Sequence, residues 1–274
     1  MKNFSIVTGG SVGIGLEIAK GLAGLSHNLI LVSRAEGRLQ QAAAEIRKLY
    51  PALVIHTLAL DLAQPDAAQR VFEFTQNLGV EVDVLINNAG VGLYGEHAEL
   101  DRAALGRMFQ LNITSLCELC LLYGQQMKAR GRGRILNVAS AAAYQPTPFF
   151  AAYGASKAFV LNFSEALAKE LEDYGVTVSC VSPGPTDTAF FGDMDKQGVD
   201  NVHFEKGARD KAPYVAKVAI ETLFNGRLSQ IVGVKNFWRA WIGRLAPRSV
   251  VATYAKDLMR SSHQASASRP QLTH

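Results

Sequence analysis

The feature that most constrains the fold is a repeated alternation of short apolar runs with longer helical patterns. The runs are aliphatic on both faces, which is typical of strands buried in a parallel sheet. Parallel strands need long crossovers, and the helical segments between the runs supply them. The predicted strands are Phe4–Val7, Leu29–Val32, Val54–Leu60, Val82–Ile86, Arg134–Ser140 and Val176–Val181. The sequence therefore predicts an α/β fold, a doubly wound parallel sheet of the Rossmann type.

The length indicates one domain. A chain of 274 residues fits a single large α/β domain better than two full ones. We predict this domain over residues 1–260, and within it a helical substrate lid over 189–234. A basic, aromatic helical segment is predicted over 235–260. Residues 261–274 are polar and low in apolar content, which predicts a disordered tail.

Charge and composition exclude several classes of protein. The net charge is only +4 and is spread along the chain, so nucleic acid is not an expected partner. No apolar run reaches the roughly 18–20 residues of a membrane span. Met1 stands directly before the first strand, so we expect no signal peptide. Three cysteines, an odd number, favour a reducing compartment and a cytoplasmic protein.

One cysteine pair has a spacing found in redox and metal sites. Cys117 and Cys120 form a CxxC pattern, but they lie in the middle of a helical segment and no second pair exists. A redox motif of this kind belongs at a helix N-terminus, where the thiolate is stabilised. Packing inside the protein is the favoured interpretation, and no metal site is predicted.

The first strand runs into a glycine-rich turn. Thr8–Gly15 has the spacing Gly-x-x-x-Gly-x-Gly and is followed by a helical pattern. Strand, turn and helix in this order bring backbone N–H groups and a positive helix end around an anion. A plain surface turn is the alternative. The candidate phosphate-binding residues are Gly9, Ser11, Val12, Gly13, Ile14 and Gly15.

The end of the second strand predicts which dinucleotide is bound. In a doubly wound sheet this position meets the adenosine ribose. Here Ser33 is followed by Arg34, and Arg38 comes one turn later. An acidic residue would repel a 2′-phosphate, whereas a guanidinium binds one. The sequence therefore favours NADP(H) over NAD(H).

Three further positions are candidates for the site, two at predicted strand ends and one within a predicted helix. Asp61, followed by Leu62, is expected near the adenine amino group, with a helix N-cap as the alternative. Asn88-Ala89-Gly90 follow the fourth strand and are expected around a cofactor ribose. Asn112 is polar within a helix predicted from Asp101 to Arg130, so its amide must find hydrogen bonds.

The candidate catalytic residues lie between Ser140 and Lys157. Ser140 ends the fifth strand, and Tyr153 and Lys157 are four residues apart on a predicted helix, so they share a face. A nearby ammonium favours a phenolate, so we expect Lys157 to lower the pKa of Tyr153. Ser140 can hydrogen-bond a carbonyl or alcohol oxygen. An ordinary helix surface pair is the alternative.

The order of these motifs resembles that of a known family. Thr-Gly-x-x-x-Gly-Ile-Gly at 8–15, Asn-Asn-Ala-Gly at 87–90, Tyr-x-x-x-Lys at 153–157 and Pro-Gly at 183–184 occur with Asn112 and Ser140 between them. Together they resemble the classical short-chain dehydrogenase/reductase family, over residues 4–190. The likeness extends to bacterial ketone and acyl-type reductases and to relatives of hydroxysteroid dehydrogenases.

The resemblance implies a role for each residue. Tyr153 would donate the proton in reduction and accept it in oxidation. Lys157 would hold the nicotinamide ribose and lower the pKa of Tyr153, and Ser140 would polarise the substrate carbonyl. Asn112 would support a water relay. The loop after the sixth strand would hold the nicotinamide carboxamide or the pyrophosphate, through Pro183, Gly184, Thr186 and Thr188.

The resulting hypothesis is an NADP(H)-dependent oxidoreductase acting on a ketone or secondary alcohol. Hydride transfer belongs to the cofactor, and the protein supplies position and electrostatics. The alternative is a protein that senses NADP(H) without turnover. A hydrophobic substrate is slightly favoured by the candidate pocket aromatics Tyr94, Tyr144, Phe149 and Phe150. A homodimer or homotetramer that pairs through the Tyr153 helix is implied by the family.

The segment 235–260 leaves two interpretations open. Phe237, Trp241 and Leu245 recur at helical spacing, and Arg239, Arg244 and Arg248 stand beside them. A basic amphipathic helix can bind a membrane surface or a partner. Packing across the substrate mouth or a subunit interface is the alternative, and it is the interpretation favoured here.

Overall fold

A seven-stranded parallel sheet forms the centre of the molecule. The computed structural model describes residues 3–188 and 209–267. The strands of the main sheet are β1 Phe4–Thr8, β2 Asn28–Ser33, β3 Ile55–Ala59, β4 Val82–Asn87, β5 Gly133–Val138, β6 Val176–Ser182 and β9 Ser229–Ile231. Their order is β3-β2-β1-β4-β5-β6-β9, and every neighbouring pair is parallel. A separate two-stranded pair joins β7 Thr186–Asp187 to β8 Asp210–Lys211.

Helices cover both faces of the sheet. They are α1 Gly13–Gly24, α2 Glu36–Leu49, α3 Ala67–Asn77, α4 Arg102–Phe109, α5 Ser115–Arg130, α6 Ala151–Leu171, α7 Ala212–Phe224, α8 Val234–Leu245 and α9 Arg248–Ala267. On one face Val71, Tyr123 and Val160 bring α3, α5 and α6 onto the core. On the other face α1, α2 and α7 pack through a second cluster. The predicted doubly wound parallel sheet is confirmed.

The strand order places the crevice of the fold between β1 and β4. The chain runs outward from β1 to β3, returns to β4, and then continues to the opposite edge. Ligands of such sheets bind beyond the carboxyl ends of the strands at this switch. The polar residues that follow β1, β2, β4, β5 and β6 therefore meet at one edge.

Part of the predicted lid belongs to the main fold. Of the range 189–234, residues 189–208 lie outside the described residues. Residues 212–224 form α7, which packs against α1, and residues 229–231 form the edge strand β9. The lid prediction is wrong for these two segments. The apolar residues of α7 pack into the core on one face of the sheet, and β9 is too short to produce a recognisable apolar run.

Two helical predictions also need correction. The helix predicted from Asp101 to Arg130 divides into α4 and α5, which are joined by a π-helical turn at Gln110–Thr114. The disordered tail predicted from residue 261 is wrong as far as Ala267, because α9 continues to that residue. Residues 268–274 lie outside the described part of the chain.

The basic aromatic segment forms two helices, α8 and α9, which we call the C-terminal helix pair. Pro247 stands between them, where proline ends one helix and fits the start of the next. Within the described ranges, no helix is both long enough and apolar enough to cross a lipid bilayer.

Candidate active site

One cleft of about 940 Å³ lies beyond the carboxyl ends of the strands and brings the predicted residues together. Gly15 and Asn112 are buried immediately behind its surface. The predicted residues that line it are Gly9, Ser11, Val12, Gly13, Ile14, Ser33, Arg34, Arg38, Asp61, Leu62, Asn88, Ala89, Gly90, Ser140, Tyr153, Lys157, Pro183, Gly184, Thr186 and Thr188. Residues from seven separate stretches of sequence therefore form one surface.

The glycine-rich turn leads the backbone across the floor of the cleft. Gly13 has φ +57°, which side chains rarely adopt. A Cβ there would lie 3.0 Å from the Thr188 methyl group, so the first turn of α1 and the loop after β6 are in close approach. Because the first N–H groups of a helix have no intrahelical partner, this end of α1 suits a phosphate.

Thr8 and Asn88 hold the ends of β1 and β4 together. The Thr8 hydroxyl donates to the Ile86 carbonyl and accepts from the backbone N–H groups of Asn88 and Ala89, both at 3.0 Å. The Asn88 amide donates to the Thr8 carbonyl at 2.9 Å. These buried bonds fix the crevice on which the dinucleotide hypothesis depends.

The end of the cleft beyond β2 is cationic, and we call it the adenosine end because the sequence predicts the adenosine there. Arg34 and Arg38 both line it, and Ser11 donates a hydrogen bond of 2.9 Å to Ser33 at the end of β2. This bond joins the glycine-rich turn to the strand end that carries Arg34. A 2′-phosphate at this position would meet two guanidinium groups and no acidic residue on β2.

Sequence reasoning missed a third cation at this end. Arg107, on α4, donates to the Asp61 carboxylate at 2.7 Å, while the other carboxylate oxygen accepts from the Ala63 N–H at 3.0 Å. Burial acts to raise the pKa of Asp61, but these two donors together hold it below its usual value. Asp61 therefore lines the cleft, as expected for a residue near the cofactor. The alternative, that it caps the next helix, is wrong, because α3 begins at Ala67 with Asp66 at its N-cap and the Ala63 N–H belongs to the preceding turn.

Ser140 and Tyr153 form the centre of the opposite end. The Tyr153 phenol shares a hydrogen bond with the Ser140 hydroxyl, which also accepts from the Ala142 N–H at 3.2 Å. Burial raises the pKa of Tyr153 to about 12, and the bond to Ser140 only partly opposes this. The predicted lowering of this pKa is therefore wrong in direction, because loss of hydration outweighs every other influence on the phenol.

Lys157 is buried one helical turn from Tyr153. Its ammonium donates to the Val138 carbonyl at 2.8 Å and lies 5.9 Å from the centre of the Tyr153 ring. Burial lowers the pKa of Lys157 to about 8. A Cβ at Gly90 would lie 3.3 Å from this ammonium, so a side chain there would press against Lys157.

Asn112 occupies the π-helical turn between α4 and α5. Its amide oxygen accepts from the Val91 N–H at 3.0 Å, and its amide nitrogen donates to the Val91 carbonyl at 2.9 Å. The nitrogen also lies 3.1 Å from the Ser156 hydroxyl, which donates to the Tyr153 carbonyl. Such a turn often occurs at functional sites. Here it lets one side chain brace both the loop after β4 and the helix of Tyr153.

Of the four predicted pocket aromatics, Phe150 lines the cleft. It packs edge-on against Tyr153, with ring centres 4.8 Å apart, and against Tyr94 at 5.7 Å. Tyr144 instead lies 3.4 Å from the Ser182 hydroxyl and packs on the main core. Tyr94 donates to the Met259 carbonyl at 2.9 Å, which ties the loop after β4 to α9.

The C-terminal helix pair completes the rim of the cleft. Asn236, Arg239 and Ala240 on α8 line it, as does Met259 on α9. These residues confirm the interpretation that the segment packs across the mouth of the cleft. The sequence did not indicate which of its residues would line the cleft. Asn236 also fills the space above Gly184 and donates to the Val232 carbonyl.

The CxxC cysteines lie on α5, away from the cleft lining. Burial raises the pKa of Cys120 to about 12 and that of Cys117 to about 11. Both thiols are therefore protonated at neutral pH, which removes the thiolate that redox chemistry requires. Within residues 3–188 and 209–267, no group of three metal-ligating side chains is found.

Comparison with known proteins agrees with the geometry. A sequence model of the short chain dehydrogenase family matches residues 3–198. A very-long-chain 3-oxoacyl-CoA reductase of Phaeosphaeria nodorum is 38% identical over 183 residues, covering 65% of this chain and 53% of that protein. One from Anas platyrhynchos is 32% identical over 268 residues, covering 95% and 80%. This chain thus spans about half the length of the Phaeosphaeria relative.

Solved structures give the same result for the fold. A short-chain dehydrogenase from Sphingobium yanoikuyae in complex with NADPH superposes with a TM-score of 0.78 at 26% identity, covering 99% of this chain and 98% of that chain. A 7β-hydroxysteroid dehydrogenase superposes with a TM-score of 0.82 at 26% identity, covering 92% and 96%. The family predicted from the motifs is therefore confirmed: this chain belongs to the short chain dehydrogenase family.

Proposed function

We propose that the chain transfers a hydride between NADP(H) and a ketone or secondary alcohol. The observation that carries this proposal is a single cleft with Arg34 and Arg38 at one end and Tyr153 with Ser140 at the other. The glycine-rich turn lies between them, where the pyrophosphate of a dinucleotide would lie. The residues present fit NADP(H) along the length of the cleft.

The proton chemistry follows from the pKa values at the reacting end. NADPH, when bound, supplies the hydride to the carbonyl carbon. The raised pKa of Tyr153 keeps the phenol protonated at neutral pH, so it can donate its proton to the carbonyl oxygen. Ser140 positions that oxygen by hydrogen bonding. Lys157 is buried beside them, where its ammonium can hold ribose hydroxyls and stabilise the phenolate that results.

Two further parts of the proposal concern Asn112 and the substrate. Asn112 would position the Tyr153 helix, because its amide braces Val91 and Ser156. It would also support a water relay toward Lys157. An apolar carbonyl compound is the proposed substrate class. Phe150, Leu93 and Met108 line the reacting end, and a relative is a very-long-chain 3-oxoacyl-CoA reductase.

The test is ketone-dependent oxidation of NADPH by the purified chain, followed by absorbance across a panel of aliphatic and cyclic ketones. Tyr153→Phe should reduce turnover by roughly 10²–10⁴-fold while NADPH still binds. Tyr214→Phe, on the exposed side of α7, is the matched control and should retain activity. Tight NADPH binding without turnover on the whole panel would favour the cofactor sensor instead.

We also propose a homodimer or homotetramer that pairs through α6. Phe159 on this helix is 41% exposed and stacks on Phe163 at 5.8 Å, so an apolar patch on α6 faces outward. Light scattering should give at least a dimer for the wild type, and Phe159→Glu should reduce the mass to that of a monomer. A monomeric wild type would contradict this part of the proposal.

The proposed location is the cytoplasm. Cys117, Cys120 and Cys180 are all free thiols, and two of them are buried, which suits a reducing compartment. Thiol titration of the protein taken directly from its source would test this. A disulfide among these cysteines would contradict a reducing compartment.

A further inference from the structure

The C-terminal helix pair carries many exposed apolar side chains. Soluble chains rarely expose so many large apolar residues on neighbouring helices, and such patches mark interaction sites. Small buried residues, Ala240 and Ala255, form the inner face of the pair. The exposed residues are Val234, Phe237, Trp238, Trp241, Ile242, Leu245, Val250 and Tyr254.

Both tryptophans of the chain lie in this set. Trp238 is 58% exposed and Trp241 is 48% exposed, and their ring centres lie 5.7 and 6.5 Å from that of Phe237. Tryptophan side chains are amphipathic and concentrate where a protein meets the headgroup region of a bilayer. A helix with aromatic residues on one side and arginine or lysine beside them is typical of interfacial binding.

The charge of the segment is also concentrated. Residues 234–260 contain six basic residues and one acidic residue, Asp257, a net charge of +5. Because the whole chain has a net charge of +4, all remaining residues together carry −1. The positive charge of the protein therefore lies on the same helices as its exposed tryptophans. An anionic partner complements this surface, and anionic lipid attracts lysine and arginine individually.

A second copy of the chain fits this surface less well. In a two-fold dimer the same patch meets itself, which would bring two segments of net charge +5 together. The centres of protein interfaces are also depleted of lysine. The segment could instead contact a different face of another copy. The rest of the chain carries a net charge of only −1, so it would attract this basic segment weakly.

We propose that the C-terminal helix pair binds the surface of a bilayer containing anionic phospholipids. Trp238, Trp241 and Ile242 would lie in the headgroup region, and Lys235 and Arg248 would contact lipid phosphates. Because Arg239 and Met259 of the same pair line the cleft, docking would hold the mouth of the cleft at the lipid surface. Lipid binding itself does not depend on the proposed reaction.

Tryptophan fluorescence tests this directly, because both reporters lie on the proposed surface. The full chain would be titrated with vesicles of phosphatidylcholine alone and with vesicles that also contain phosphatidylserine. Emission should shift to shorter wavelength, and the chain should sediment, only with the phosphatidylserine vesicles at low salt. Raising the salt concentration should release it, since screening weakens surface attraction.

Variants separate charge from general surface effects. Lys235→Gln with Arg248→Gln removes two cations from the surface and should weaken vesicle binding about thirtyfold, or about fivefold for each cation. Lys48→Gln with Arg70→Gln removes the same charge from exposed positions on α2 and α3 and should have a much smaller effect. Trp238→Ala should also weaken binding. Circular dichroism checks that each variant is folded.

Two results would overturn the proposal. One is an unchanged emission spectrum and no sedimentation with phosphatidylserine vesicles at low salt. The other is a wild-type dimer that dissociates on Trp238→Ala and whose tryptophan emission is already at short wavelength without lipid. That second result would assign the same surface to another copy of the chain.

Discussion

The cofactor end of the cleft and its rim are built in different ways. The cofactor end is formed by turns at strand ends, and buried hydrogen bonds from Thr8 and Asn88 fix its geometry. The rim formed by α8 and α9 follows the last strand of the sheet and keeps large side chains such as Trp238 in solvent. Buried hydrogen bonds of this kind favour a rigid geometry in the first region. The second has one face on the protein and one face open, which suits contact with another surface.

The largest effect is expected at Lys157, which is buried inside the cleft and is therefore part of its internally bonded region. Lys157→Met should reduce turnover by at least about a hundredfold, because the buried ammonium beside Tyr153 is lost. The same change should increase the free energy of unfolding at pH 7 by roughly 1–2 kcal/mol, since a buried charge is removed while one hydrogen bond to Val138 is lost. Activity assays and urea denaturation measure the two effects.

The stability gained by Lys157→Met should decrease as pH rises. Burial lowers the pKa of Lys157 to about 8 in the folded chain, from its ordinary value of 10.5. The cost of charging the buried amine is therefore fully present below pH 8 and disappears as pH rises toward 10.5. The stability difference from Lys157→Met should narrow over this range. Lys217→Met, at an exposed position on α7, is the control; an equal gain there would contradict the explanation.

A smaller effect is expected at the adenosine end. Arg34→Gln should weaken NADPH binding by about 10–100-fold, the range expected for a lost hydrogen bond to a charged group. NADH affinity should stay within about twofold, because NADH has no 2′-phosphate. Fluorescence titration of both cofactors measures this. Arg70→Gln, on the exposed side of α3, controls for net charge, and an equal loss for NADH would show that Arg34 does not select the phosphate.

Arg107 should have a weaker effect still. Its guanidinium is about half exposed, so the ion pair with Asp61 is screened by solvent. Arg107→Gln should therefore weaken binding of both cofactors alike, by at most about fivefold. Isothermal titration calorimetry with NADPH and NADH would detect this. A loss confined to NADPH would mean that Arg107 contacts the 2′-phosphate and does not act by positioning Asp61.

The smallest effect is expected at the rim. Trp238→Ala should leave NADPH affinity within about twofold, because this side chain points into solvent and does not line the cleft. The same titration measures it. A large loss would show that the rim and the cofactor end are coupled and that the contrast between them is wrong.

The sequence predicted the cofactor end better than the rim for a physical reason. Buried parallel strands are continuous apolar runs, so β1 to β6 were predicted to within about two residues at most ends. Each strand end carries local motifs that can be recognised without knowledge of distant contacts. The strand β9 has only three residues and no such run, and it was missed.

Features that depend on tertiary contacts could not be predicted in this way. Arg107 meets Asp61 across 46 residues of sequence, and nothing local indicates the pair. The π-helical turn at Asn112 keeps the same apolar pattern as the helix around it. The pKa of Tyr153 depends on how deeply the fold buries the phenol, which a spacing of four residues does not show. Pro247, in contrast, was a local signal that could have divided the segment 235–260 into two helices.

The most direct test of the account is a titration of the full chain with NADPH and, separately, with NADH, followed by cofactor fluorescence. The cleft and its arginines predict that NADPH binds at least about ten times more tightly than NADH. Equal affinities, or a preference for NADH, would contradict the role given to Arg34 and Arg38. Failure to bind either nucleotide would contradict the assignment of the cleft itself.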